Sequence, residues 1–210
     1  MSSALLVDTT SVFSFQQYLK KHDYPVQGNI NYGALLESLH RNFPNGGFNP
    51  MLAFVAINPE HEGQQKFCAY LRNQQFIVDE TDFRDAFVIP DKESPYQRLS
   101  TRIAYLAGML AQKYDQRGGK RTLPHLVVVT DAFDVYYPLL DYIQNRGGAV
   151  TVAFFRRGLE DRWQRAGLFD EDSDVQFCDL SVDARVILGV DLGSTLGQRK
   201  GGSGLADFEL

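Results

Sequence analysis

A three-layer α/β domain built on a mostly parallel sheet is the fold this sequence predicts, and three observations predict it. Apolar runs of strand length (ALLV at 4–7, MLAFVAI at 51–57, LVVV at 126–129) show no polar alternation, the mark of strands covered on both faces. Segments with apolar residues at helical spacing alternate with those runs. The chain has 210 residues, 44% hydrophobic and 22% charged, enough for one sizeable core and too apolar for disorder.

Taken in order, residues 4–7 form the first strand, stopped by Asp8. A helix follows over 12–21, with Ser11 placed to cap it. Asn31 caps a helix over 32–42, in which Leu35, Leu36, Leu39 and Phe43 share one face, and Pro44-Asn45-Gly46-Gly47 breaks the chain. Strand 51–57 leads to a helix over 62–73 with Phe67, Tyr70 and Leu71 on one side. Residues 76–78 make the next strand, and an acid-rich stretch follows. Ser94-Pro95 is a cap followed by proline at the first helical position. The helix it opens carries Leu99, Ile103, Leu106 and Leu110 and runs to about residue 117, where Gly118-Gly119 ends it. Strand 126–129 ends at Thr130-Asp131, and a helix over 135–146 stops at Gly147-Gly148. Strand 149–155, a short helix at 159–166, a short strand at 175–178 and one more at 184–190 complete the expected elements. Residues 192–210 hold five glycines and little apolar content, so the reading is one domain over 1–191 and a flexible Gly-rich tail over 192–210.

Composition narrows the function. The net charge is −5, from 21 Lys+Arg and 26 Asp+Glu, which argues against tight non-specific grip on nucleic acid. No apolar run reaches the length that spans a bilayer, and the first residues, MSSALLVD, lack a basic region before their apolar run, so a cytoplasmic protein without a membrane partner is expected. Cys68 and Cys178 cannot build a disulfide framework, no disulfide-linked partner is expected, and both read as buried small hydrophobes. His22, His40, His61 and His125 show no ligand spacing. Gly118-Gly119-Lys120-Arg121-Thr122 echoes a phosphate-binding loop but precedes a strand where such a loop follows one, and so reads as a helix terminator.

The chemistry gathers at strand ends, where open parallel sheets bind ligands. Asp8 and Asp131 each end a predicted strand, and Asp134 follows three residues later. Carboxylates converging there repel one another unless a cation sits among them, and hard oxygen donors suit Mg²⁺ or Mn²⁺. Such a site can activate water and clamp a phosphate. The plainer reading is that each aspartate caps the next helix or opens a turn. Basic residues are few but grouped: Arg98 and Arg102; Lys113, Arg117, Lys120 and Arg121; Arg156 and Arg157; Arg162 and Arg165. Arg156 and Arg157 follow strand 149–155, at the carboxyl edge expected to hold Asp131, where they can meet a phosphate backbone or form a solvated rim. Tyr136 and Tyr137, near Asp134, can stack on bases or pack in the core.

The run LLVDTTSV, then NINYGALLESL, then MLAFVAINPEHEGQQKFCAYLRNQQFIV, then HLVVVTDAFDVYYPLLDYIQNRGGAVTVAFF and VQFCDL, resembles the NYN family, PIN-like domains related to LabA and other metal-dependent ribonucleases. The resemblance covers roughly residues 4–181 and rests on the N-Y-x-x-L-L helix, the MLAFVAI strand with its glutamine-containing helix, and the strand-Thr-Asp-x-x-Asp segment. It implies a Rossmannoid, PIN/NYN-like fold and endoribonuclease activity. Asp8, Asp131 and Asp134 would be its catalytic and metal-binding residues, Ser11 and Thr130 would orient them, and RNA would be the partner. This chain departs from the family pattern in three places. Ser11 stands where the family's Asp-Gly-x-Asn run has asparagine. Arg102 aligns with a further family aspartate, although Ser100 or Thr101 fits the position as well. Asp131 and Asp134 are one residue further apart than in the family's Asp-Ser-Asp-Phe. An arginine among the carboxylates could neutralise them without Mg²⁺ or Mn²⁺.

Two other readings therefore stand beside the enzyme. One is a degenerate domain that binds RNA or serves as a protein-interaction module, with Arg102 filling the metal position. The other is a von Willebrand A-like metal-binding interaction domain, whose Asp-x-Ser-x-Ser motif meets Thr10 and Val12 here. A haloacid-dehalogenase-type phosphotransferase needs Asp-x-Asp and meets Thr10 instead. Self-association as a homodimer stays open at this stage.

Overall fold

The computed structural model describes residues 3–44, 47–82, 108–109, 125–131, 143–145, 148–156 and 176–192. Six strands form one sheet: β1 (Ser3–Asp8), β2 (Phe48–Ile57), β3 (Ile77–Asp82), β4 (Leu126–Val129), β5 (Val150–Phe154) and β6 (Gln176–Asp179). The fold is α/β and Rossmann-like, with helices flanking the sheet: α1 (Thr9–Lys21), α2 (Tyr32–Asn42), α3 (Glu62–Asn73) and the single-turn α4 (Ala184–Ile187). All five strand pairings are parallel, where the sequence promised only a mostly parallel sheet. The expected helices over 94–117, 135–146 and 159–166 lie largely outside the described residues, as does nearly all of the tail over 192–210; residues 108–109 and 143–144, inside two of those spans, are helical.

The strand order is β3-β2-β1-β4-β5-β6. The chain builds outward from β1 in one direction, returns, and builds outward from β4 in the other. The crevice between two neighbouring strands whose crossovers diverge is where such sheets hold ligands, and here it lies at the carboxyl ends of β1 and β4. Every residue of β1, β4 and β5 is buried, which is why these strands read as uninterrupted apolar runs. Val7 is level with Ala53 on one side and Val129 on the other, so Asp8 and the residue after β4, Thr130, end their strands at the same height.

Strand β2 begins at Phe48 rather than residue 51, other strand ends move by a residue, and three further differences have a clear physical reason. Helix α1 begins at Thr9 rather than residue 12, because Asp8 caps it: its side chain accepts from the backbone N–H of Thr10 and Ser11. Ser11 is therefore inside the first turn and free to use its hydroxyl elsewhere. Strand β3 runs on through Asp79, Glu80 and Asp82, since an edge strand tolerates polar residues while its ladder with β2 continues to Ile57. There Glu80 finds an ion pair with Arg72 of α3. The expected strand at 184–190 is a 3₁₀ turn (Ser181–Asp183) and α4. Its buried residues, Ala184, Ile187 and Leu188, recur at helical spacing and leave Val186 exposed, so packing overrode β-branched propensity.

The segment after β6 closes the fold over α1 and α2. Gln27 donates its N–H to the Gly189 carbonyl (2.9 Å), Asn31 to Ile187 (2.8 Å), and the Gln16 side chain to Leu188 (3.0 Å). Gly189 has φ +74°, and a Cβ there would lie 1.8 Å from the Gln27 carbonyl oxygen, so no other residue fits this crossing. Among the described residues no helix is long and apolar enough to cross a membrane. Cys68 and Cys178 are buried, unpaired thiols, and burial pushes each up to about 11.

Candidate functional site

The sequence-predicted residues Asp8, Ser11, Thr130 and Asp131 come together at the β1/β4 crevice. Asp8 is 4% exposed. Its Oδ1 accepts from Thr10 N (3.0 Å) and Ser11 N (3.2 Å), the capping arrangement that a strand-end aspartate makes with the helix it starts. The Ser11 hydroxyl crosses the crevice and donates to Asp131 Oδ1 at 2.6 Å. The Thr130 hydroxyl lies 3.2 Å from the Ser11 oxygen. Since Ser11 spends its one proton on Asp131, the Thr130 hydroxyl is the donor of that pair. Ser11 thus ties both carboxylates to one turn of helix, the backbone N–H holding one and the side chain the other.

This arrangement holds the carboxylates in place, and its hydrogen bonds supply no opposite charge. Among the described residues, the hydrogen-bond geometry anchors each carboxylate through its Oδ1: Asp8 by the Thr10 and Ser11 N–H groups, Asp131 by the Ser11 hydroxyl. Burial, and after it the Asp131 charge, push Asp8 up to about 7 from 3.8, against the pull of the Ser11 and Thr10 hydrogen bonds. The 2.6 Å contact commits the Ser11 hydroxyl to Asp131, so the opposing pull on Asp8 comes chiefly from the two backbone N–H groups.

The donor set fits a hydrated divalent cation. Mg²⁺ and Mn²⁺ take carboxylate oxygens and keep several waters, and one or two carboxylates suffice where substrate phosphate completes the shell. Asp8 and Asp131 offer two such oxygens, and a cation between them relieves the repulsion that raises Asp8. Among the described residues no group of three or more His, Cys, Asp or Glu side chains converges. Asp134, the expected third carboxylate, lies outside the described residues, as do Arg102, Arg157, Tyr136 and Tyr137.

Arg156 does reach the carboxyl edge, immediately beyond β5, and it is engaged there. Its Nε lies 3.5 Å from Asp179 Oδ2, and its guanidinium stands 5.9 Å from the Phe177 ring centroid. Its backbone N–H donates to Asp179 Oδ1 (3.3 Å) and Ser181 Oγ (3.1 Å). A phosphate at this place would therefore compete with Asp179 for the charge.

Two residues of the site escaped the sequence reading. Thr9 donates its hydroxyl to the Phe54 carbonyl of β2 (2.7 Å), fixing the start of α1 to the neighbouring strand. Tyr32, the first residue of α2, is 1% exposed and points its hydroxyl at the Thr9 carbonyl (3.4 Å). Its position directly after the Asn31 cap was visible in the sequence, but its reach to α1 depends on how the two helices meet.

No family model matches the chain, and no curated protein does. Among solved structures, a protein of unknown function from Vibrio parahaemolyticus is similar, with a TM-score of 0.55 and 17% identity, covering 87% of this chain and 94% of that one. At that identity the likeness speaks for the fold, and the site must be read from its own geometry.

Proposed function

We propose that the protein is a metal-dependent phosphodiesterase of the NYN/PIN-like type that hydrolyses RNA at the β1/β4 crevice. The observation that carries this reading is the meeting of two carboxylates at the switch point of the sheet, each anchored through its Oδ1. Asp8 and Asp131 would hold Mg²⁺ or Mn²⁺, with Asp134 as the further carboxylate the sequence suggests. The ion would supply an activated water and a positive charge opposite the phosphate. The chain's own part is positional. The Thr10 and Ser11 N–H groups fix Asp8, the Ser11 hydroxyl fixes Asp131, and Thr130 fixes the Ser11 proton. Without a cation Asp8 holds a proton near neutral pH, so metal binding competes with that proton. The RNA substrate and the NYN kinship rest on the resemblance in sequence; the site geometry supports phosphodiester chemistry of that class.

The test is Mn²⁺-dependent cleavage of end-labelled RNA by the full chain, compared with Asp131→Asn. Cleavage lost in the variant is the expected result. Salt-sensitive RNA binding without cleavage would assign a binding module in its place. Tight Mn²⁺ binding with neither activity would favour the interaction-domain reading.

A further inference from the structure

The Asn31-Tyr32 pair that opens α2 is a sequence feature the hydrolytic reading leaves unused. Asn31 caps the helix with its side chain on the Ala34 N–H (3.0 Å), which places Tyr32 at the first helical position. From there the ring enters the core at 1% exposure, packs against Phe67 of α3 with centroids 5.4 Å apart, and brings its hydroxyl to Thr9 O (3.4 Å). Thr9 is the residue after Asp8 and the first of α1. A buried phenol has no water to donate to, so its proton must be used within the protein.

We infer that Tyr32 is a positioning residue of the site: it pins the first turn of α1 from α2 and thereby fixes Asp8 opposite Asp131. Three groups hold that turn from three sides. Thr9 Oγ1 reaches the β2 carbonyl of Phe54, Asp8 Oδ1 takes the Thr10 and Ser11 N–H groups, and Tyr32 holds the Thr9 carbonyl. Of these three, only Tyr32 comes from outside the β1–α1–β2 neighbourhood; among the described residues it ties the turn to α2 and α3, as the Ser11 hydroxyl ties it to the end of β4. Burial, and then the neighbouring Asp8 charge, push the phenol upward, so it stays a donor at every pH at which the fold is used. Phe at position 32 would keep the ring packing on Phe67 and lose this hold.

The inference rests on the proposed hydrolysis for its functional meaning, but its geometry can be tested separately. Tyr32→Phe keeps the ring and removes the hydroxyl. Two measurements are made on the full chain: amide hydrogen exchange by NMR, and Mn²⁺-dependent hydrolysis of bis(p-nitrophenyl) phosphate. We expect exchange at Thr10 and Ser11 to quicken about 10-fold while amides of β4 and α3 stay unchanged, with kcat falling about 10-fold at constant KM. Exchange and kcat both within twofold of wild type would overturn the role, and so would quickened exchange spread through α2 and α3, which signals lost packing. If the wild-type chain hydrolyses nothing, the phosphodiesterase reading fails, and the exchange measurement alone decides for or against Tyr32.

Discussion

The two ends of the β1–β4 pair are both polar, and they are built on opposite principles. At the amino end, Ser3 Oγ lies 3.4 Å from His125 Nδ1, His125 Nε2 lies 2.8 Å from Thr151 Oγ1, and Thr151 donates to Gln176 Oε1 (3.3 Å). That order fixes every proton: Thr151 gives its own to Gln176, so it accepts from His125 Nε2–H, and Nδ1 accepts from Ser3. The chain is neutral, crosses β1, β4, β5 and β6, and leaves none of its groups in conflict. At the carboxyl end, two carboxylates are held facing one crevice by hydrogen bonds that do not neutralise them. A satisfied network fixes strand register. Among the described residues no cation offsets the second arrangement, and that difference is what singles out the carboxyl end as the proposed site.

The strongest way to break the comparison is to remove one carboxylate and one amino-end group in parallel. Asp131→Asn should lower Mn²⁺-dependent RNA cleavage by about 10³-fold or more, some 4 kcal/mol in barrier, with the fold intact by circular dichroism. Thr151→Val should leave the rate within about twofold. Equal losses from both variants would mean that the carboxyl end is no more functional than the amino end.

Asp8 sharpens the contrast through stability. Its folded value, about 7, lies above its unfolded value of 3.8. A carboxyl raised in this way favours folding fully below the lower value, and that contribution is lost as pH rises through the upper one. Three units correspond to about 4 kcal/mol, so metal-free wild type should weaken by about 2–4 kcal/mol between pH 4 and pH 9 from this group. Asparagine keeps the cap on Thr10 and Ser11 without the charge. Urea unfolding in chelator should therefore find Asp8→Asn more stable than wild type at pH 8–9, and Mn²⁺ should rescue only wild type. A variant less stable than wild type at that pH would show that the carboxylates are not in conflict.

At the amino end the expected changes are smaller and run the other way with pH. Thr151→Val strands the His125 donor and the Gln176 acceptor, and should destabilise by about 1–2 kcal/mol in the same unfolding assay. Burial lowers His125 from its ordinary value of 6.5, so the neutral ring favours folding above that value and the contribution is lost as pH falls through the lower, folded one. The stability of His125→Gln relative to wild type should thus rise on acidification below pH 6.5. Asp8 penalises alkaline conditions, His125 acidic ones.

How much of this the sequence could tell follows from the range of the interactions. Buried central strands carry their own signal, and helical spacing another, so β4, the bounds of α2 and α3 and the Asn31 cap of α2 are legible residue by residue. Asp8 and Asp131 were visible as strand ends because a carboxylate marks where an apolar run stops. The role of Ser11 was half visible: its hydroxyl looked like a cap, and the cap turned out to be Asp8, because α1 begins three residues earlier, at Thr9, and that shift reassigns every side chain in its first turn. Tyr32 and the His125 chain were invisible for a firmer reason. Each joins elements separated in sequence, and nothing local distinguishes a tyrosine that packs from one that also donates across an interface. Edge strand β3 was the least legible of the described strands, running to Asp82 where residues 76–78 were expected: among the described residues it satisfies one ladder only, and its composition follows solvent as much as the sheet.

Arg156 lies at the rim of the proposed site, and its effects should be the smallest. Its ion pair with Asp179 is half exposed, 53% and 34% for the two side chains, so screening leaves it worth well under about 1 kcal/mol. Arg156→Ala should change stability by less than about 0.5 kcal/mol. If the guanidinium leaves Asp179 for a phosphate, the same variant should weaken RNA binding about two- to fivefold and reduce the salt dependence by about one ion. Asp179→Asn keeps acceptors for the Arg156 and Ser181 N–H groups while releasing the charge, and should tighten binding by a similar factor. Filter binding across a salt series reads both. Opposite shifts in the two variants would extend the nucleic-acid surface from the Asp8–Asp131 crevice across β5 to β6. Binding unchanged in both would confine it to the crevice, and would place Arg156 with the amino-end network, among the polar groups whose partners lie within the chain.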